Sequence, residues 1–95
     1  MSRSTSSAVL EKGDEVLHFD AVDVTGTFEL RDEVFDRALP AEIVARSIAS
    51  RMALPDNVPW TLHDSRGAFL DDHRAIGDQV ETGATLTVAP KTHLG

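Results

Sequence analysis

The feature that most constrains this chain is a strand pattern that ends almost where the chain does. Ala84-Thr85-Leu86-Thr87-Val88 alternates apolar residues with threonine, the period of a strand with one buried face. Pro90 has no N–H to give a sheet ladder, so pairing is expected to stop at about Ala89. Lys91-Thr92-His93-Leu94-Gly95 then follows with no hydrophobic period. The domain is therefore expected over residues 15–89, with a flexible tail over 90–95.

The partners are legible upstream. Val22 and Val24 alternate with Asp23, and Phe28 and Leu30 with Glu29, about a turn at Thr25-Gly26-Thr27. A three-residue hairpin loop sets Val24 opposite Phe28 and Val22 opposite Leu30. Leu17 and Phe19 fall in the other phase, which either a bulge near Ala21 or a separate short extension accommodates. Val34-Phe35 extends the second strand or anchors the crossover. Pro40 suits a first helical turn, with Glu42 at the positive end of the helix dipole. Val44, Ile48 and Met52 recur every four residues and predict a buried helical stripe between about Pro40 and Ala53, ended by Pro55. Trp60-Thr61-Leu62 opens a third strand, with Thr61 and His63 on the face opposite Leu62. A turn at Asp64-Ser65-Arg66-Gly67 and the apolar residues Phe69, Leu70, Ile76 and Val80 lead to the last strand. The expected core is Val22, Val24, Phe28, Leu30, Val44, Ile48, Leu62, Leu70, Leu86 and Val88.

Strand, strand, helix, strand, irregular segment, strand is an α+β order, one helix packed across a mixed sheet. The parts from Leu62 onward resemble ubiquitin and its relatives: the Gly67 turn, Phe69-Leu70, the charged loop Asp71-Asp72-His73-Arg74, then Ile76, Val80 and the Thr-Leu-Thr-Val strand. The resemblance reaches back to about Val16 and implies a ubiquitin-like β-grasp fold. Trp60-x-Leu62 and Thr82-Gly83-Ala84-Thr85-Leu86 are also similar to the small bacterial ubiquitin-like proteins of type VII secretion.

Composition narrows the chemistry. The net charge of −7 speaks against nucleic acid and anionic membranes as partners. With no cysteine there is no disulfide, thiolate metal site or cysteine nucleophile. His18, His63, His73 and His93 show no metal-site spacing, and no nucleophile elbow or phosphate loop stands out. An enzyme is not expected, nor a cofactor or metal. Residues 1–14 are serine-rich, lack an apolar run long enough for a signal peptide, and are expected to be a disordered tail in a cytoplasmic protein.

What the resemblance implies about function centres on the tail. In ubiquitin-like modifiers the terminal carboxylate is adenylated, passes to a thioester and ends in an amide with a target. Glycine suits the narrow channel this requires. Gly95 is the conjugation residue on this reading, and Lys91, Thr92, His93 and Leu94 form the segment partners read. Lys91 matches a basic position that activating enzymes recognise in the family. Leu94 stands where the family usually has a second glycine, which implies either a dedicated enzyme set or no conjugation. The implied partners are activating and conjugating enzymes, a deconjugating metalloprotease and target proteins; in bacteria such sets resemble antiviral defence systems. Of the two lysines, Lys12 is the expected chain acceptor. Two other readings stand beside this one: a sulfur carrier with a terminal thiocarboxylate, and a non-conjugated interaction module of the type VII secretion kind.

Overall fold

The computed structural model describes residues 15–91. Lys12, Thr92, His93, Leu94 and Gly95, and the segment 1–14 as a whole, lie outside the described residues. Four strands and one helix make up the domain: β1 (Val16–Asp23), β2 (Glu29–Asp36), α1 (Ala41–Arg51), β3 (Trp60–His63) and β4 (Ala84–Pro90), with a short 3-10 helix at Ile76–Asp78. The sheet order is β2-β1-β4-β3. β1 pairs antiparallel with β2 and parallel with β4, and β3 pairs antiparallel with β4. A parallel central pair cannot be joined by a tight turn. Here α1 supplies the crossover and covers one face of the sheet, the β-grasp arrangement.

Along β1, Leu17, Phe19, Ala21 and Asp23 are buried in a single phase. Leu17, Phe19 and Ala21 join Leu86 and Val88 of β4, Leu62 of β3 and the α1 stripe Val44, Ala45, Ile48, Ala49 in one core that Met52 extends. Full burial of a leucine or isoleucine side chain stabilises by about 1.5–3 kcal/mol. Five core expectations hold without amendment: Val44, Ile48, Leu62, Leu86 and Val88 are all at most 1% exposed. Leu30 and Leu70 are half-buried and pack against this cluster.

The first hairpin departs from expectation. Its loop is one residue longer, so Val22 faces Glu29 and Ala21 faces Leu30. A one-residue slip moves every side chain to the other face. Val24 and Phe28 are accordingly 55% and 44% exposed, and Val22 is only partly covered. The cause is Asp23. Its carboxylate accepts a hydrogen bond from the Phe28 N–H at 2.9 Å and one from the Thr25 hydroxyl at 2.6 Å. Gly26, at φ +74°, donates its N–H to the Asp23 carbonyl at 3.0 Å. The bulge is present, but β2 carries it. The register shifts between Phe19 and Ala21, Asp32 sits at φ +53°, and its N–H donates to Asp20 Oδ1 at 2.8 Å. Val34 and Phe35 both belong to β2.

Both ends of α1 are closed by local chemistry. Pro40 is the N-cap, in an extended conformation, and not the first helical residue. The orphan N–H groups of Ala41 and Glu42 donate to the carbonyls of Arg74 and Asp72, each at 3.0 Å. At the other end Leu54 N–H donates to the Ala49 carbonyl at 2.9 Å and Ala53 N–H to that of Ser50 at 3.0 Å. This is a Schellman motif with Ala53 at φ +60°. The motif ends the helix before Pro55 is reached. Among the described residues no helix is long and apolar enough to cross a membrane.

Candidate functional site

The site of interest is where the sheet hands the chain on towards residues 92–95. Pro90 was expected to release the chain; it instead closes β4, opposite Trp60. Pairing survives because the missing N–H matters only where a ladder partner needs it. Lys91 is tethered too, not part of a free tail. Its N–H donates to the Pro59 carbonyl at 3.0 Å, and its Nζ lies 2.6 Å from Asp72 Oδ2. The Asp72 hydrogen bond holds the lysine pKa above its ordinary value, against partial desolvation and with help from the charges of Asp72 and Glu42.

Asp72 joins three elements. Its other oxygen accepts a hydrogen bond from the Thr61 hydroxyl at 3.0 Å, and its carbonyl caps Glu42. Thr61, placed opposite Leu62 in β3, is nonetheless only 2% exposed. A buried hydroxyl needs a partner, and Asp72 provides it. The loop that holds Asp72 is rigidly built. Asp71 Oδ1 accepts from the His73 N–H at 3.0 Å, and Gln79 accepts from Asp71 N–H at 2.7 Å while donating to the Asp71 carbonyl at 2.9 Å. The charged loop Asp71-Asp72-His73-Arg74 is thus a bracket between the helix N-terminus, β3 and the end of β4. An Asp-x-Thr/Arg-Gly turn is a recognisable sequence signal, but nothing in Asp71-Asp72 announces Lys91 as a partner.

His63 is half-buried, with Nδ1 3.1 Å from the Asp64 carbonyl oxygen and its ring edge-on to Phe69 at 5.3 Å. Beside it, Asp64 Oδ1 accepts from Ala68 N–H at 3.0 Å and Arg66 N–H at 2.9 Å. The Ala68 bond first, then the Arg66 N–H and the neighbouring positive charges, hold the Asp64 carboxyl below its ordinary range against desolvation.

Lys91 also lines an open groove of about 810 Å³. Leu54, Val58 and Trp60 form its apolar side, and Glu42 and Arg46 of α1 the polar side. Trp60 is fixed there by its indole N–H, which donates to the Pro55 carbonyl at 2.7 Å. The residues after Lys91 thus leave from the wall of a groove, at a position set by one ion pair and one backbone hydrogen bond. Of the expected site residues only Lys91 falls within the described residues, and it is brought together with Asp72 and Thr61.

No protein-family model and no curated protein matches the chain. Solved structures do. The ubiquitin of Caldiarchaeum subterraneum superposes with a TM-score of 0.64 at 14% identity, over 79% of this chain and 92% of that one. Tubulin-binding cofactor B of Trypanosoma brucei gives 0.61 at 15% identity, over 79% and 94%. The ubiquitin-like domain of an Arabidopsis thaliana protein gives 0.59 at 19%, over 81% and 79%. Identities this low establish the fold, and the fold is ubiquitin-like.

Proposed function

We propose that the chain is a ubiquitin-like protein modifier, activated at Gly95 and joined to target proteins by cognate activating and conjugating enzymes, with a metal-dependent peptidase to reverse the step. The observation that carries this reading is the handover at Lys91. A modifier needs its reactive segment presented from a rigid body at a constant position. Tethering by Pro59 and Asp72 supplies that, immediately before residues 92–95. The chemistry is acyl transfer. The Gly95 carboxylate attacks ATP and releases pyrophosphate, an enzyme thiol displaces AMP, and a target amine displaces the thiol.

One observation favours a second reading, a non-conjugated interaction module. The Lys91 ammonium is engaged by Asp72 and so is a poorer handle for an activating enzyme than a free basic residue. Incubation with the cognate enzymes and ATP, followed by intact-mass measurement, separates the two. The modifier reading expects a thioester on the activating enzyme with the full chain and none after deletion of Gly95. Equal behaviour of the two proteins overturns it.

A further inference from the structure

Lys91 is the last lysine or arginine of the chain and the only one beyond Arg74. A protease that cuts after basic residues would detach residues 92–95 at this one bond and leave the folded domain whole. Such proteases make two demands on a substrate. The basic side chain must enter a pocket with a carboxylate at its base. The backbone around the scissile bond must also come free of the fold.

Lys91 meets neither demand in the folded chain. Its Nζ already has a carboxylate, Asp72 Oδ2 at 2.6 Å, and its side chain is only 31% exposed. The backbone is engaged as well. Lys91 N–H donates to the Pro59 carbonyl at 3.0 Å. The two residues before it are in register with β3, Pro90 opposite Trp60 and Ala89 opposite Thr61. Asp72 is anchored in its turn. It is 16% exposed, accepts from the Thr61 hydroxyl at 3.0 Å and holds the Glu42 N–H through its carbonyl. The carboxylate therefore cannot follow the lysine outward without breaking these bonds.

We propose that the Lys91–Asp72 pair is a latch that shields the peptide bond after Lys91 from proteases specific for basic residues, so that residues 92–95 stay attached to the domain. Cleavage waits for a local opening in which the ion pair and the Pro59 bond break and the end of β4 peels from β3. When reclosing outpaces cleavage, the cutting rate follows the population of that open form. Each contact present only in the closed form lowers that population. A partly exposed ion pair lowers it by about 1.5- to 5-fold. That share fades in salt, because the screening length falls to about 3 Å at about 1 M. The protection holds whether or not Gly95 is ever activated.

The test is limited digestion of the full chain with trypsin, followed by intact-mass measurement of the product that has lost residues 92–95. Asp72→Asn is the informative variant. Its amide oxygen can still accept from Thr61, but the negative charge facing Lys91 is gone. Loss of residues 92–95 should be about 1.5- to 5-fold faster in Asp72→Asn at low salt, and the two rates should converge at about 1 M salt. Cleavage after Arg46, inside α1, reports global opening and should be the same in both proteins. Equal rates of loss at low salt would overturn the proposal. So would a faster loss matched by faster cleavage after Arg46, which would assign the effect to general unfolding. The parent chain gives a second check that needs no variant. Its loss of residues 92–95, relative to cleavage of a free peptide spanning the same bond, should speed up as salt rises. A ratio that salt leaves unchanged would overturn the latch as well.

Discussion

Replacing Asp72 with alanine should destabilise the domain by about 2–3 kcal/mol, although the residue lies in a surface loop. Two losses add. The Thr61 hydroxyl, 2% exposed, is left without its partner, and an orphaned buried polar group costs about 1–3 kcal/mol. The Lys91 pair is also lost, but its side chain is 31% exposed, and such pairs contribute only about 0.2–1 kcal/mol. The hydroxyl term therefore dominates, and it predicts non-additivity. Thr61→Val removes the group that Asp72→Ala would orphan, so the double variant should be more stable than the sum of the single effects implies, by about 1 kcal/mol. The assay is urea denaturation followed by the fluorescence of Trp60, the one tryptophan. Hydrogen exchange adds a local readout: the Lys91 amide should lose protection in Asp72→Ala. A single variant within about 0.5 kcal/mol of the parent, the usual range for an uninvolved surface position, would refute the reasoning. So would strict additivity.

Three further outcomes follow from local geometry. Ala53→Gly should stabilise by about 0.5–1 kcal/mol in the same urea assay, because Ala53 sits at φ +60° in the helix-ending motif where glycine carries no Cβ penalty. Gly77→Ala should destabilise by about 1–3 kcal/mol, since an added Cβ would fall 2.5 Å from Arg37 Cβ, at the root of a side chain that also donates to the Gly77 carbonyl at 2.7 Å; a neutral result would show that the 37–77 contact yields freely. Stability against pH should be flat between two declines. Asp23 and Asp64 have lowered carboxyl pKa values, so their contribution is present above about 3.9 and is lost as pH falls through the folded values. Lys91 has a raised pKa, so its contribution is present below about 10.4 and is lost as pH rises through the folded value. Asp23→Asn should flatten the acid limb and Lys91→Met the alkaline one, as read by melts across pH.

Periodicity made the layers legible because the helix stripe and the last strand carry their own period. Val44, Ile48, Leu86 and Val88 could be assigned to the core with no knowledge of their partners, and they are buried. The hairpin was misread because its register depends on one side chain. Asp23 looks like a solvent-facing residue between two valines, yet its carboxylate ties the loop and shifts Val24 and Phe28 outward. The same limit applies at the handover. Lys91 was legible as a basic residue beyond the last strand, but its partner Asp72 is distant in sequence and sits in a run of charges that reads as solvated. Ion pairs between distant residues leave no period, so only the folded arrangement connects Thr61, Asp72 and Lys91.

The central claim is that the residues beyond Lys91 form the reactive end of a modifier. Tryptic mass spectrometry of proteins purified through an N-terminal tag, from cells that make the chain and its enzymes, tests it most directly. Lys91 is the last tryptic site, so each conjugated target lysine should carry a Thr92-His93-Leu94-Gly95 branch, and the branch should be absent when Gly95 is deleted. Recovery of the unmodified chain alone, with partners held non-covalently and unaffected by loss of Gly95, would contradict the claim.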